Sequence, residues 1–447
     1  MLDPAVFKAY DVRGLYPSEL DEEGAYAIGR AYVDQFEPKR IAVGRDMRLS
    51  APSMAKAVIE GAADGGADVI DLGMVGTEMV YFAVGELALD GGVMVTASHN
   101  PKDYTGMKIV RRGALPVGSE SGLYDVRERA LHSGRREATR GSVEAVDVWD
   151  AFVSRVLSFI DPDAIRPLRV VIDAANGMAG AMLPPVLKRL PLVNARCENF
   201  EPDGSFPNHE PNPLLPENRE FIVRATREAG ADFGVAYDGD ADRCFFVDDT
   251  GEFVPGDFTT ALFAESILAK EPGGRVIYDV RASWAVPEAI DRAGGVGFPN
   301  RVGHAFIKQR MRDIDAVFAG EVSAHYYFRD FSQADSGVIP FLLMLELLSK
   351  RGQKLSELLA PFRSRFFLTG ELNQPVGDVA VKLQELKERF GAEGKVSHLD
   401  GLSVDAADWH MNVRPSNTEP LLRLNLEARS QALMESKRDE VLALIRS

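Results

Sequence analysis

Three aspartates follow an apolar run in the segment DFGVAYDGDADRCFFVDD: Asp238, Asp240 and Asp242, two residues apart, with only glycine and alanine between them. Carboxylates packed this closely repel one another strongly unless a cation sits among them. An all-oxygen set suits a hard divalent ion, and Mg²⁺ is the usual choice when a phosphate is the other ligand. The run FGVAY reads as a buried strand. In α/β sheets ligands gather beyond the carboxyl ends of strands, which a plain acidic surface loop does not explain. An EF-hand loop is excluded. A strand precedes the acids, Arg243 stands at the position that needs glycine, and Asp249 stands where a bidentate glutamate belongs.

Three further segments carry polar groups whose types and spacing bear on chemistry. In GGVMVTASHNPKDYTGMK the strand VMVT runs into Ala97-Ser98-His99-Asn100-Pro101, and Asn-Pro forces a turn. Ser98 is therefore expected on a loop rather than inside a helix. No G-x-S-x-G elbow surrounds it, so it gains meaning only where a metal and a phosphate meet it. In GEVSAHYYFRDFSQADSG, Glu321, Ser323 and His325 alternate. In an extended loop they would face one side and suit vicinal sugar hydroxyls, although a polar edge strand reads equally well from this segment alone. In RPSNTEPLLRLNLEA, Arg414, Ser416, Asn417 and Thr418 crowd a turn between two strand-like runs. A planar guanidinium fork with hydroxyl and backbone donors suits a phosphate group, and a β-turn with a surface arginine is the plainer reading. Arg13, Lys108, Arg243, Arg281 and His304 are scattered through apolar pattern. Each alone reads as a surface charge; together they would supply the positive pocket that an acidic chain needs for a phosphosugar.

The elements that must position these groups follow one local plan. IAVGRDMRLSAPSMAKAVIEGA, VVIDAANGMAGAMLPPVLKRL and VIYDVRASWAVPEAIDRAGG each run strand, polar loop, helix, the helices entered near Ser50, Asn176 and Ser283. Such units favour mixed sheets covered by helices, and a spacing of about 110–130 residues allows a diverged repeat. His132 to Val146 is a charged stretch that reads as a linker, DDTGE is a turn signal, and GVIPFLLMLELLSKRGQKLSELLAPF reads as one helical run. From about Phe366 a smaller unit alternates apolar and polar residues and closes on the amphipathic helix QALMESKRDEVLALIRS. Four domains are expected, at 1–147, 148–250, 251–364 and 365–447.

Composition narrows the partners. The 447 residues are 45% apolar and carry a formal net charge of −16, which sets the chain against nucleic acid and anionic membrane surfaces. Two cysteines, Cys197 and Cys244, imply no disulfide framework. MLDPAVFKAYDVRG lacks the basic and apolar regions of a signal peptide, and the longest apolar stretch, near VIPFLLMLELL, is too short to span a bilayer. A cytoplasmic location is expected, with a small phosphosugar as partner and no obligatory protein partner.

Taken in order, TASHNP, DGDADR, GEVSAH and RPSNTEP resemble the phosphoserine, metal, sugar-recognition and phosphate-binding loops of the α-D-phosphohexomutase superfamily, in its phosphomannomutase/phosphoglucomutase branch. The resemblance implies a heart-shaped α/β molecule around a central cleft, with three similar mixed-sheet domains and a smaller α+β C-terminal domain. It implies that Ser98 carries the phosphoryl group and that Asp238, Asp240 and Asp242 hold Mg²⁺, with a phosphoserine oxygen of Ser98 as a further ligand. A hexose 1,6-bisphosphate would serve as intermediate and activator. Arg13, Lys108, Arg243 and His304 would lie near the transferring group, with Lys108 assigned the proton transfer. Arg281, Glu321, Ser323 and His325 would hold the sugar, and Arg414, Ser416, Asn417 and Thr418 the non-reacting phosphate. The expected activity is that of a phosphomannomutase, with a phosphoglucomutase or a dual enzyme as alternatives. Departures from the pattern are Thr105 in the Y-N-G position, Val322 and Ala324 in the sugar loop, and Arg281 where some members have lysine. The Glu-x-Ser-x-His pattern favours mannose or glucose phosphates over glucosamine phosphate. Two rivals remain. A haloacid-dehalogenase-type phosphatase resembles the site in an apolar strand ending in D-x-D, with Asp238 as nucleophile, but Asp242 stands where that motif has Thr or Val. A non-enzymatic phosphosugar sensor has no need of Ser98 and all three aspartates.

Overall fold

The computed structural model describes residues 2–132, 137–416 and 421–447. Among them no helix is long and apolar enough to cross a membrane. The chain forms two compact units, residues 1–254 with 323–355, and residues 255–322 with 356–447.

The first unit contains two mixed sheets. In the first, the order is Val12–Leu15, Tyr104–Arg111, Gly91–Val95, Arg40–Arg45, Asp68–Met74, Val143–Ala145. Gly91–Val95, Arg40–Arg45, Asp68–Met74 and Val143–Ala145 run parallel, while Tyr104–Arg111 is antiparallel to Gly91–Val95 and to Val12–Leu15. The central strands are continuous apolar runs because helices cover both faces, and Ile41, Ala42 and Val43 are fully buried. This topology sets Lys108 beside Met94 and brings the end of Gly91–Val95 to the Ser98 loop. The stretch read as a linker does more than link. Its three exposed residues Val143–Ala145 add an edge strand paired with Val69–Asp71.

The second sheet has the order Phe253–Val254, Cys244–Asp248, Phe233–Tyr237, Leu168–Asp173, Val193–Glu198. Phe233–Tyr237 runs parallel to Leu168–Asp173 and forms an antiparallel hairpin with Cys244–Asp248. The three aspartates occupy that hairpin's loop. The turn at Asp248–Glu252 forms as its sequence suggests, with the Asp248 carboxylate accepting from the Thr250 and Glu252 N–H groups at 2.8 and 3.0 Å. The unit also holds the antiparallel pair Tyr326–Phe328 and Ala334–Asp335. The helical run that follows is two helices, not one. Val338–Arg351 ends where Gly352 adopts φ 67°, and Leu355–Arg363 resumes after it.

In the second unit, Val296–Asn300, Arg275–Asp279 and Phe318–Gly320 pair in parallel. The helices Gly256–Lys270, Ala285–Arg292 and His304–Ile314 belong with them. The three strand–loop–helix units expected from the sequence form at Arg40–Asp64, Leu168–Leu187 and Arg275–Arg292. The last sheet is antiparallel, Phe367–Pro375, Leu421–Ala428, Trp409–Pro415, Leu402–Asp405, Lys395–Ser397. Its core joins alternate strand residues such as Met411, Val413, Leu422 and Leu424 to Leu386, Phe390 and Ile445 of two helices. A bulge between Leu368 and Glu371 inserts one residue, with Gly370 at φ 69°.

Candidate active site

The Ser98 loop is held in an uncommon conformation by side chains distant in sequence. Ser98 has φ 52° and is 1% exposed, so the serine sits on a loop as expected but is enclosed there. Its N–H donates to Thr96 Oγ1 at 2.8 Å. The Arg48 guanidinium donates to the carbonyls of Ser98, Asn100, Pro101 and Tyr104 at 2.8, 2.6, 2.8 and 3.1 Å. Arg13 reaches the same loop by donating to Asn100 Oδ1 and is anchored on Asp11 at 2.6 Å. Sequence reading passed over Arg48. An Asp-x-Arg pair at the end of a buried strand, Asp46 and Arg48, was the available signal.

The aspartate loop packs directly against the Ser98 loop. A Cβ at Gly239 would stand 2.4 Å from the Ser98 carbonyl oxygen, so only glycine permits the approach. Ala241 turns the tip at φ 60°. All three aspartates are buried, and one carboxylate oxygen from each lies within 4.8 Å of the others. Ser98 Oγ donates to Asp238 Oδ2 at 3.1 Å. Lys108 Nζ lies 2.7 Å from Asp240 Oδ2 and also donates to Asp242 Oδ2. Thr77 Oγ1 donates to Asp240 Oδ2 as well. Asp240 Oδ1 is buried and has no hydrogen-bond partner among the described residues. A buried, unpartnered carboxylate oxygen between two other carboxylates is what a hard-cation site requires, so the residues fit Mg²⁺.

Charge in this cluster is unevenly shared. Burial pushes the Asp238 carboxyl up, and Asp242 and Asp240 push it further than Arg243 and Lys108 pull it back. Burial also opposes charge on Asp242, but Lys108, His325 and Arg243 outweigh it and hold that carboxyl well down. Burial disfavours the Lys108 ammonium, yet Asp240 and Asp242 keep it firmly charged. His325 Nε2 stands 3.3 Å from Asp242 Oδ1 and accepts from Arg243 Nε at 3.1 Å, while its Nδ1 meets Ser323 Oγ at 3.0 Å. Asp335 lies close enough to join Asp242 and His325 in a second cluster that shares one carboxylate with the first. The first unit thus brings Ser98, Lys108, the three aspartates, Arg243, Ser323 and His325 together. Thr77 and Asp335 were missed, because nothing local in the sequence marks them.

The remaining groups belong to the second unit. Arg281 is buried rather than a surface charge, and Asp279 grips it at two points, 2.9 and 2.8 Å. Asp279 Oδ2 also accepts from the Val322 N–H at 2.9 Å, tying Arg281 to the sugar-loop segment. Glu321 Oε1 accepts from Gly303 N–H at 3.0 Å, beside His304 at the start of its helix. The expected extended conformation of Glu321 to His325 is not found. The segment is a turn with Ala324 at φ 62°, so simple alternation does not set which way its side chains face. Arg414 lies at the end of its strand and bonds Glu371 at 3.0 Å, and Ser416 Oγ accepts from Arg423 at 3.3 Å. Asn417 and Thr418 lie outside the described residues.

Comparison with known proteins gives the arrangement a lineage. The models described as phosphoglucomutase/phosphomannomutase alpha/beta/alpha domains I, II and III match residues 4–128, 150–251 and 255–366, and the C-terminal domain of the same family matches 371–444. A phosphomannomutase of Salmonella montevideo is 44% identical over 99% of this chain and 99% of its own length. The phosphohexose mutases of Xanthomonas campestris pv. campestris are 44% identical over 98% of this chain and 99% of theirs. A crystal structure of a phosphoglucomutase/phosphomannomutase family protein from Burkholderia thailandensis matches with a TM-score of 0.89 at 33% identity, covering 100% of this chain and 98% of that one. With three mixed α/β domains, an antiparallel C-terminal domain and full-length relatives of one kind, the chain belongs to the phosphoglucomutase/phosphomannomutase family and is a phosphohexose mutase, an isomerase.

Proposed function

We propose that the protein interconverts mannose 6-phosphate and mannose 1-phosphate through a phosphoserine at Ser98. The observation that carries this reading is the Ser98 hydroxyl donating to Asp238 inside a buried cluster of three carboxylates. Asp238, Asp240 and Asp242, with an oxygen of the phosphorylated Ser98, would hold Mg²⁺, which when bound offsets negative charge on the phosphoryl group. A sugar hydroxyl oxygen attacks phosphorus, the P–Oγ bond of phosphoserine breaks, and the bond electrons stay on Oγ. The hydroxyl gives up a proton and Ser98 Oγ takes one up. The product is a hexose 1,6-bisphosphate, whose other phosphate then returns to Ser98 by the same step reversed. We assign the proton transfer to Lys108, which starts as the ammonium, gives a proton to Ser98 Oγ and is refilled by the one the hydroxyl loses, and Arg13, Arg243 and His304 to the surroundings of the moving group. Glu321, Ser323 and His325 hold sugar hydroxyls, Arg281 contributes to substrate binding, and Arg414 with Ser416, Asn417 and Thr418 grips the phosphate that does not react.

The mannose assignment rests on the Salmonella relative's name and on the Glu-x-Ser-x-His pattern. Mannose and glucose phosphates differ at one hydroxyl, so weak discrimination and a dual activity form the second reading. A phosphatase acting through Asp238 is disfavoured, because that carboxylate already accepts from both Ser98 Oγ and the Arg243 N–H. The test is mass spectrometry after incubation with a hexose 1,6-bisphosphate, together with a coupled mutase assay on mannose 1-phosphate and glucose 1-phosphate. An acid-stable phosphate on the peptide containing Ser98, lost in Ser98→Ala with nearly all turnover, is the expected result. A label on the Asp238 peptide, or steady release of free phosphate by Ser98→Ala, would replace the mutase step with hydrolysis.

A further inference from the structure

Glu371 stands at the focus of three guanidinium groups in the second unit. Arg281 Nη1 lies 3.2 Å and Arg414 Nη2 3.0 Å from its Oε2, and Arg423 Nη1 lies 3.0 Å from its Oε1. Strand register explains part of this convergence. Arg414 and Arg423 are directly opposed on neighbouring antiparallel strands, and Arg423 is opposed in turn by Asn373. Glu371 precedes Asn373 by two residues and so shares its face. The bulge after Leu368 shifts the pairing by one residue, which turns Glu371 toward the arginines.

This arrangement is costly without an anion. Like charges directly opposed across strands are destabilising. Arg281 already has Asp279, so Arg414 and Arg423 share Glu371 alone among these contacts. Burial disfavours the Glu371 carboxylate, but Arg281, Arg414 and Arg423 outweigh it and hold the group at about 2. Its side chain remains 24% exposed, so a soluble anion can reach the same donors.

We propose that Glu371 is a built-in competitor for the phosphate ester, filling the arginine focus until a ligand with more charge and more acceptor oxygens displaces it. The proposal rests on the reading that Arg414 grips the non-reacting phosphate. A carboxylate brings one charge and two oxygens, whereas a phosphate monoester brings close to two charges and three acceptor oxygens. The focus therefore admits phosphate esters and rejects sugar acids, at the cost of a weaker intrinsic grip on every anion. Glu371 acts as a specificity-determining residue for the charge of the ligand.

The experiment is calorimetric titration of the full chain with glucose 6-phosphate and with glucuronate. The proteins are the wild type, Glu371→Gln, Glu371→Asp and Arg414→Ala, each checked for its unfolding midpoint. Glu371→Gln should bind glucose 6-phosphate about tenfold more tightly, because a like charge beside the incoming anion is gone. Glucuronate should gain by a larger factor, so that the preference for phosphate over carboxylate falls. Glu371→Asp, whose carboxylate is drawn back by one methylene, should fall between the two and keeps the test open if the glutamine variant does not fold. Unchanged or weaker glucose 6-phosphate binding in folded Glu371→Gln overturns the proposal and makes Glu371 a scaffold for the arginines. If Arg414→Ala binds glucose 6-phosphate as well as the wild type, the phosphate site itself has been assigned wrongly. Loss in Arg414→Ala without gain in Glu371→Gln overturns the role of Glu371 alone.

Discussion

Replacing Arg48 by methionine should both destabilise the first domain and slow phosphoryl transfer, and the two effects can be separated. Arg48 is 1% exposed, makes four bonds to carbonyls of the Ser98 loop, and stands 3.4 Å from the buried Asp46. Burial pushes the Asp46 carboxyl up against the pull of Arg48, and pushes the Arg48 guanidinium down against the pull of Asp46. Both shifts run against charge, so the ion pair alone does not offset the cost of enclosing it; the carbonyl bonds must contribute. A bond from a charged donor contributes about 1.5–3 kcal/mol, and an orphaned partner of a buried ion pair costs about 3–5 kcal/mol. These terms overlap, because two nitrogens serve four carbonyls, so about 4 kcal/mol is expected for Arg48→Met. In a domain of this size that lowers the unfolding midpoint by about 10 °C.

The kinetic consequence follows from geometry. Arg48 reaches backbone oxygens, not reacting atoms, so its effect on turnover passes through the position of Ser98. A misplacement of about 1 Å costs about 10²-fold in rate. The assay is steady-state mutase turnover well below the unfolding midpoint, where kcat should fall while KM for the phosphosugar stays near the wild-type value. Arg48→Lys separates the roles. An ammonium keeps the charge beside Asp46 but lacks the planar fork that spans four carbonyls, so stability should recover more than kcat. Arg48→Met with an unchanged midpoint and a kcat within about twofold of wild type would refute the reasoning.

Two further outcomes follow from neighbouring contacts. Thr77→Val removes the hydroxyl that fixes Asp240 Oδ2 while leaving Oδ1 in place. Magnesium affinity measured by titration of the unphosphorylated protein should drop about 10–100-fold, with Thr77→Ser close to wild type, and equal affinity in both variants would remove Thr77 from the metal's support. His209 makes a 2.9 Å contact with the buried Asp173; burial disfavours its charge, but that bond and the carboxylate's field outweigh it and raise the imidazole. A raised histidine stabilises fully below its unfolded value, about 6.5, and the contribution is lost as pH rises through the folded value. His209→Gln should therefore flatten the decline of the unfolding midpoint from about pH 6 upward, and a profile parallel to wild type would show that the pair does not titrate there.

The parts of the site that could be read from sequence are those compressed into single strand-to-loop passages. Asp238, Asp240 and Asp242 lie within five residues, and the apolar FGVAY before them announces the strand that delivers them. The groups that hold them come from far along the chain. Thr77 is 163 residues from Asp240 and Arg48 is 50 from Ser98, separations at which no local pattern links one residue to the other. Alternation does not describe the backbone of Glu321 to His325, because a left-handed Ala324 breaks the period on which it depends. The edge strand Val143–Ala145 escaped notice for a different reason. It is a short, exposed edge pairing that buries no side chain, so it leaves no hydrophobic signature.

The charge of the chain poses the question that these contacts answer. A protein with a formal net charge of −16 repels a dianionic sugar at long range, yet its family acts on phosphorylated hexoses. Salt screens that repulsion beyond about 8 Å, so capture is decided by groups in contact with the ligand. Cations of each unit carry an acidic companion: Lys108 with Asp240 and Asp242 and Arg48 with Asp46 in the first, Arg281 with Asp279 and Arg414 and Arg423 with Glu371 in the second. Enclosing a lone cation costs several kcal/mol, and the companions are what allow Lys108, Arg281 and Arg414 to be buried. If they bind a phosphate as proposed, the same pairing would limit how strongly any of them does so, because each donor would have to leave or share a carboxylate first. On the proposed reading, an acidic sequence is compatible with phosphate chemistry because its buried positive charge is stored, neutralised in place by carboxylates, and would be taken up by a ligand more highly charged than a carboxylate.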